Sequence, residues 1–479
     1  MPLPIARSSG LVSNSFFIFI IRFFPSLANL VVLILYSKYL SPAAYGAYQH
    51  FWIHLYVLFP FICFGIHVLI ITYSRSFIIN LFQQLNASHY LLYGLWVILL
   101  SGLFAVLQIR SIDINFFVPF LFILCYAITF IFESFLIVSK NYYWLIPVNF
   151  IYSAAFCAIH WIVLDHGFSL QGLFGYLLSI TVLRLCIYIG VTVCNFKRYH
   201  KEVVFEEYLP GKVLALWLHL GLFDILQVLS GYADKFIISI VLTAELSAIY
   251  YNGSQNIPFL PLLLSAAGSA VLIQLAGGRK QDEKTDSIRL MNQSGKVLSS
   301  IVFPLFFFLL FFRYDLIVIL LTNKYIPAIP VFFMATLVLP VRAYSFTTVL
   351  QRLHRGDIIN MGAIAELVVA LALMYPLYKW IGLPGVALSF VISTYFQATF
   401  YLIYSARLLQ TSPLKLIPVV NWLVKLIVFA SLFIIIHYAV NQIFSAKIAL
   451  VLGAISMIAA IIISLAIELK NTSKNGRIQ

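Results

Sequence analysis

Charge is scarce in this chain. Asp, Glu, Lys and Arg make up 10% of its 479 residues, hydrophobic side chains make up 62%, and the mean hydropathy is +1.00. A soluble domain carries roughly 25% charged residues, so a water-soluble globule of this size is excluded and lipid must be the solvent for most of the chain. Cysteine is also rare. Cys63, Cys125, Cys157, Cys186 and Cys194 form no CxxC pair and no Cys/His cluster, so neither a zinc site nor a disulfide framework is expected. No GxxxxGK[ST], GxSxG or HExxH sequence occurs, and the loops are too short to hold an extramembrane active site. The reading is therefore no enzyme, no cofactor and no metal. Acidic residues are the scarcer sign, 16 against 30 basic, giving a net charge of +14. In a soluble protein that balance would suggest nucleic acid. Here most charges sit in short loops, so it reads as a membrane-orientation signal, with no nucleic-acid partner.

What the chain has in quantity is long apolar runs. A hydrocarbon core about 30 Å thick needs roughly 20 apolar residues per helix. That ruler predicts an all-α polytopic protein of about fourteen spans. They lie near 14–38, 51–73, 91–108, 117–138, 145–164, 171–194, 214–242, 247–275, 297–320, 328–350, 358–378, 384–408, 418–440 and 447–468. The first run has no small-residue cleavage site and reads as a retained helix. With a cytoplasmic N-terminus, the inside segments hold Arg7, Arg75, Lys140, Lys197, Arg198, Lys201, Lys212, Arg279, Lys280, Lys284, Arg289, Lys296, Arg352, Arg355, Arg407, Lys415, Lys470, Lys474 and Arg477. The outside loops hold only Lys38, Arg110, Lys324, Lys379 and Lys447. That asymmetry supports an even number of spans with both termini in the cytoplasm. The basic loops 195–213 and 276–296 also carry acids, which weakens a special attraction to anionic headgroups.

The chain repeats itself. "KYLSPAAYGAYQ" (38–49) is echoed by "VLTAELSAIYYN" (241–252), with Leu40-Ser41 falling on Leu242-Thr243 and Gly46 on Ala248 at an offset of 202. "LQGLFGYLLS" (170–179) is echoed by "LPGVALSFVIS" (383–393), with Gly172 on Gly385. Helices 1–6 therefore read as repeated in helices 7–12. The expected lobes are 1–210 and 211–415, with helices 13 and 14 and a tail in 416–479. Six is even, so the lobes are parallel repeats related by an axis along the membrane normal, with a substrate path between them.

"YLSPAAYGAYQ" resembles the motif that ends the first helix in the polysaccharide transporter family. These are the Wzx-type O-antigen flippases of the multidrug/oligosaccharidyl-lipid/polysaccharide exporter superfamily. "YADKFIISIVLTAELSAIYYNGSQNIP" (232–258) resembles the family's seventh-helix segment, including Asp234-Lys235, and "IGLPGVALSFVIS" (381–393) resembles the opening of its twelfth helix. Ser247 departs from the glycine usual before the aromatic turn. The resemblance spans most of residues 14–408. It implies a flippase in a bacterial cytoplasmic (inner) membrane, moving an undecaprenyl-diphosphate-linked oligosaccharide by alternating access for surface polysaccharide synthesis. Membrane lipids, a coupling ion (proton or sodium) and a polysaccharide polymerase are the implied partners. A lipid II flippase and an ion-coupled multidrug exporter of the same superfamily are the alternatives. A membrane glycan polymerase or ligase fits less well, because no large outer loop is present.

A charge at bilayer depth costs about 2.5–3.5 kcal/mol on insertion scales, so each one needs a partner or a watery path. The candidates for substrate contact are Arg22, Arg184, Asp224, Lys235 and Arg342, and those for ion coupling are Glu366, Asp234 and Lys425. Arg22 and Asp224 are separated by the repeat offset of 202 and are expected to face each other, as a gating bridge, a phosphate site or a static pair. Arg184 and Arg342 lie near mid-span. Their planar forks suit a diphosphate, and pairing with Glu133 or Glu366 is the structural alternative. Neighbouring helical residues point about 100° apart, so Asp234 and Lys235 are expected not to pair with each other. Lys425 is expected to snorkel toward the cytoplasmic interface. His54, His67, His160, His219 and His437 are scattered and read as packing or interfacial residues without metal spacing.

Overall fold

The computed structural model describes residues 8–72, 75–112, 114–201, 210–254, 283–353 and 355–476. Among these residues every regular element is helical. The longer helices are α1 (Ser8–Tyr39), α2 (Pro42–Cys63), α5 (Ala87–Ile112), α6 (Phe117–Val138), α7 (Tyr142–Asp165), α8 (Leu170–Lys201) and α9 (Pro210–Val241). They continue with α11 (Glu283–Phe311), α15 (Gly356–Ile381), α16 (Leu383–Leu408), α18 (Val419–Ile443) and α19 (Ala446–Gly476). Shorter ones intervene: α3 (Ile66–Thr72), α4 (Arg75–Gln84), α10 (Ala244–Gly253), α12 (Arg313–Leu316), α13 (Ile329–Thr336), α14 (Thr348–Arg352) and α17 (Pro413–Leu416). Eleven helical segments among the described residues, the broken one at Asn323–Ala343 included, are long and apolar enough to cross a membrane. The chain is thus an all-α multi-pass membrane protein. Of the other three expected spans, α2 carries polar side chains such as Gln49 and His50, α9 carries charged ones, and 247–275 lies mostly outside the described residues. So do Arg7, Arg279, Lys280, Arg477 and parts of both basic loops.

The chain forms two compact units, Met1–Ala248 and Ile249–Gln479. The helix α9, which the repeat counts as the start of the second lobe, belongs to the first unit. Within that unit α2 packs on α9 and α5, α1 on α7, and α6 on α8. In lipid no hydrophobic force draws helices together, so close packing and polar contacts must do it. Two glycines achieve this for α2. A Cβ at Gly46 would overlap the backbone carbonyl of Ala244. The two copies of the repeated motif are therefore in direct backbone contact. At the other end, a Cβ at Gly65 would lie 2.6 Å from the Cα of Gly221 on α9.

The Ser-Pro motif starts a helix. Ser41 is extended, its hydroxyl accepts from the Ala44 N–H at 3.2 Å, and Pro42 fills the first turn, where a missing N–H costs nothing. The second helix therefore begins at Pro42, not at 51. It also stops early. Phe64 and Gly65 adopt left-handed conformations (φ 43° and 70°), which split the expected span 51–73 into α2 and α3.

In the second unit α15 and α16 pair as a hairpin, and α18 and α19 cover the phenylalanine-rich face of α11. Phe303, Phe307, Phe308 and Phe312 pack there with Phe429 and Phe433. The final helix pair is part of that unit's core. The span expected at 328–350 is not one helix. It breaks after α13 into a tight 3₁₀ turn, Leu339–Ala343, followed by the extended Tyr344. Pro340 removes an N–H from the ladder at the break. Irregular backbone at membrane depth is tolerated only where protein or water satisfies it.

Candidate functional site

The buried charges fall into closed groups and open ones. Arg184 on α8 is closed. Its guanidinium pairs with Glu133 on α6 and donates to Asn149 Oδ1 on α7. Tyr152 and Tyr188 lie 4.6 and 5.3 Å from it as ring contacts. Thus the arginine expected to meet substrate stands in a fully formed pair.

Lys425 is closed as well, and it does not snorkel. Its ammonium donates to the Lys296 carbonyl at 2.6 Å and to Ser300 at 2.8 Å, and it meets Glu468 at 3.0 Å. The serines of α11 and the acid of α19 offer a nearer set of acceptors than the interface does. Asp234 and Lys235 correct the expectation that neighbours cannot pair. The Lys235 ammonium lies 3.4 Å from Asp234 Oδ2, close to the Gly231 carbonyl, and 5.6 Å from the Tyr232 ring. Four methylenes are long enough to undo the 100° offset between the two Cβ directions.

Two groups stay open. On the first unit, His67 Nε2 of α3 lies 3.6 Å from Asp224 Oδ2 of α9, too long for a hydrogen bond. His67 Nδ1 has no partner. Arg22 of α1 is exposed and lies within electrostatic reach of His67. Asp224 therefore takes His67 as its near neighbour, and the expected Arg22–Asp224 bridge is not made. The helices bring His67 and Asp224 together, and Arg22, within electrostatic reach of His67, enters no ion pair among the described residues. On the second unit, Arg342 sits on the 3₁₀ turn, exposed, within the field of Glu366 on α15. Glu366 is itself buried and accepts from the Thr394 hydroxyl of α16 at 2.8 Å. Arg342 is thus a turn residue rather than a mid-helix one.

The closed network of the first unit and the Glu366 network of the second share a spacing. The Gly172/Gly385 echo sets an offset of 213, and that offset carries Thr181 to Thr394, Arg184 to Gln397 and Tyr188 to Tyr401. In both units the tyrosine is buried and hydrogen-bonded: Tyr188 to Asn149 Oδ1 at 3.2 Å, Tyr401 to the Ile359 carbonyl at 2.7 Å. The carboxylate and the arginine exchange sides. Glu133 lies N-terminal to Arg184, and Arg342 lies N-terminal to Glu366.

Sequence reasoning missed three groups. Glu468, at the end of the last span, is the partner of Lys425. His67 was noted but not joined to Asp224. His50 was overlooked entirely, although His50 and His54 stand four residues apart on α2 and share a face. Their rings lie 6.1 Å apart. Among the described residues no cluster of three or more His, Cys, Asp or Glu side chains could hold a metal.

No family model matches the chain, and no curated protein matches it. Solved structures do. The lipid II flippase MurJ, in an inward closed conformation, superposes with a TM-score of 0.66 at 14% identity, over 95% of this chain and 98% of that one. An inward-facing multidrug resistance MATE family transporter of the MOP superfamily gives 0.54 at 13% identity, over 81% and 94%. A MOP superfamily transporter from Pyrococcus furiosus Vc1, described as having a binding pocket of reverse polarity, gives 0.52 at 14% identity, over 84% and 95%. The chain has the fold these transporters share.

Proposed function

We propose that the protein is a flippase. It moves an undecaprenyl-diphosphate-linked oligosaccharide unit across a bacterial cytoplasmic membrane by alternating access, both termini cytoplasmic, for surface polysaccharide of the O-antigen kind. One observation carries the reading. Of the span cations that are placed, Arg184, Lys235 and Lys425 are spent on carboxylates, whereas Arg22 and Arg342 are exposed residues with no ion pair among the described residues. Protein does not leave a cation at membrane depth without a use. A planar fork that never loses its charge suits a diphosphate, which carries charge at every working pH. The shared fold with a lipid II flippase over nearly the full length of both chains supports a lipid-linked cargo. It equally favours lipid II as a second reading. A multidrug exporter of cationic compounds is disfavoured, because two accessible arginines would repel its cargo.

In this reading Arg22 of the first unit and Arg342 of the second are each a candidate contact for the diphosphate, and Asp224 with His67 tunes release beside Arg22. Arg184 and Lys235 join only if their pairs open during the cycle. Glu366 and Asp234 remain the candidates for a coupling proton or sodium ion, and a polysaccharide polymerase receives the product. Arg22→Ala and Arg342→Ala are each expected to reduce translocation about 10- to 100-fold, the worth of one charge-assisted contact, with normal membrane abundance. Lysine at either position is expected to rescue only partly, since it lacks the bidentate fork. Full activity in both alanine variants would sink the assignment. Competition between lipid II and an oligosaccharide-diphosphate lipid in the same vesicles separates the two readings.

A further inference from the structure

We propose that His54 is a proton-binding site inside the first unit, built so that its ring is hydrogen-bonded in both charge states. His54 is fully buried. Its Nε2 lies 3.0 Å from the Ser239 hydroxyl of α9. That hydroxyl donates its proton to the Phe236 carbonyl at 2.7 Å, so toward His54 it can only accept. Nε2 therefore carries the hydrogen. The other nitrogen, Nδ1, lies 3.1 Å from the side-chain amide of Gln108 on α5 and accepts from it when the ring is neutral.

The amide is what makes the site adaptable. Gln108 is fully buried, and its Oε1 has no partner. Turning the amide over exchanges its donor for an acceptor at nearly the same place. A proton on Nδ1 is then received by Oε1, and Nε2–H keeps its bond to Ser239. The ring stays bonded in both charge states, and the unpaired end of the buried Gln108 amide changes from its oxygen to its N–H2 group. A ring held only for packing needs no such reversible partner.

The surroundings are sparse in charge. On α2, His50 lies one turn away with both ring nitrogens unpartnered, so a charge on either ring disfavours one on the other. On α9, Asp234 and Lys235 precede Ser239 by about one turn and hold each other. On α5 the nearest charge is the exposed Arg110. On α6, Glu133 is committed to Arg184 and Tyr126 is a phenol. On α1, Tyr36 packs on Tyr48. His54 lies twelve residues into α2, about 18 Å along its axis from Pro42. The site joins α2, α5 and α9, so its protonation alters a three-helix contact. Its role as a coupling group rests on the transport reading, whereas its titration does not.

The test is a titration of the whole protein in lipid nanodiscs with ring-¹⁵N histidine, read by solid-state NMR without substrate. One ring signal, absent in His54→Gln, is expected to change from neutral to doubly protonated on acidification from about pH 8. Gln108→Leu removes the acceptor, and the transition is expected to vanish or move to lower pH. Gln108→Glu, which keeps the volume, is expected to move it to higher pH. A His54 signal that stays neutral throughout overturns the proposal. So does a transition that Gln108→Leu and Gln108→Glu both leave unmoved.

Discussion

Gly46→Leu is expected to abolish folding of the first unit, with loss of the protein from the membrane fraction and of the cooperative thermal transition in detergent. Even a single Cβ at this position would overlap the carbonyl of Ala244, a backbone atom that cannot move aside without shifting α10. The same substitution at Gly94, where an added Cβ meets nothing within 4 Å, is expected to be silent. The contrast matters because both glycines lie in long helices and both look equally ordinary in sequence. In lipid, where apolar area gains little by leaving one greasy neighbour for another, helix contact depends on how closely backbones approach. Overpacking a well-packed site typically costs about 1–3 kcal/mol, and a clash against backbone lies at or beyond the upper end.

The second large effect concerns Glu133. Glu133→Ala leaves Arg184 buried without its counter-charge, and the expected loss is about 3–5 kcal/mol of stability. The paired variant Glu133→Leu with Arg184→Met removes both charges at similar volume. It is expected to recover most of that stability, since replacing a buried pair by apolar groups is often near neutral. Transport by the paired variant then separates two roles. If Arg184 serves only to tie α6, α7 and α8, the recovered protein transports; if it meets substrate when the pair opens, a stable protein fails to transport. Thermal unfolding and vesicle transport, measured on the same preparations, give both answers.

Much of the fold was legible because hydropathy and punctuation agree. The span at 384–408 matches Leu383–Leu408 nearly to the residue, since Gly382 and Pro384 mark its start. The span 117–138 matches as well. Where the reading slipped, side-chain reach or backbone detail decided the outcome. A hydropathy ruler cannot see that Ser41-Pro42 is a cap, because Ala, Tyr and Gly after it look like loop. It also cannot see the turn at Leu339–Ala343, because the turn is as apolar as a helix. Lys425 and Lys235 were misjudged through their length: a lysine finds whichever acceptor its four methylenes can touch, and those acceptors come from other helices or from a neighbour. The Arg22–Asp224 pairing followed from repeat offset alone. The offset did bring the right helices into view, but the imidazole of His67, from outside the repeat argument, takes the place beside Asp224.

Translocation itself is the direct measurement. The purified protein is placed in vesicles holding an undecaprenyl-diphosphate oligosaccharide with a fluorescent sugar, and the fraction shielded from an external quencher is followed over time. Flippase function predicts exchange between leaflets well above that of protein-free vesicles, and its loss in the Arg22→Ala, Arg342→Ala double variant. Exchange no faster than in protein-free vesicles, or exchange that survives in the double variant, would contradict it.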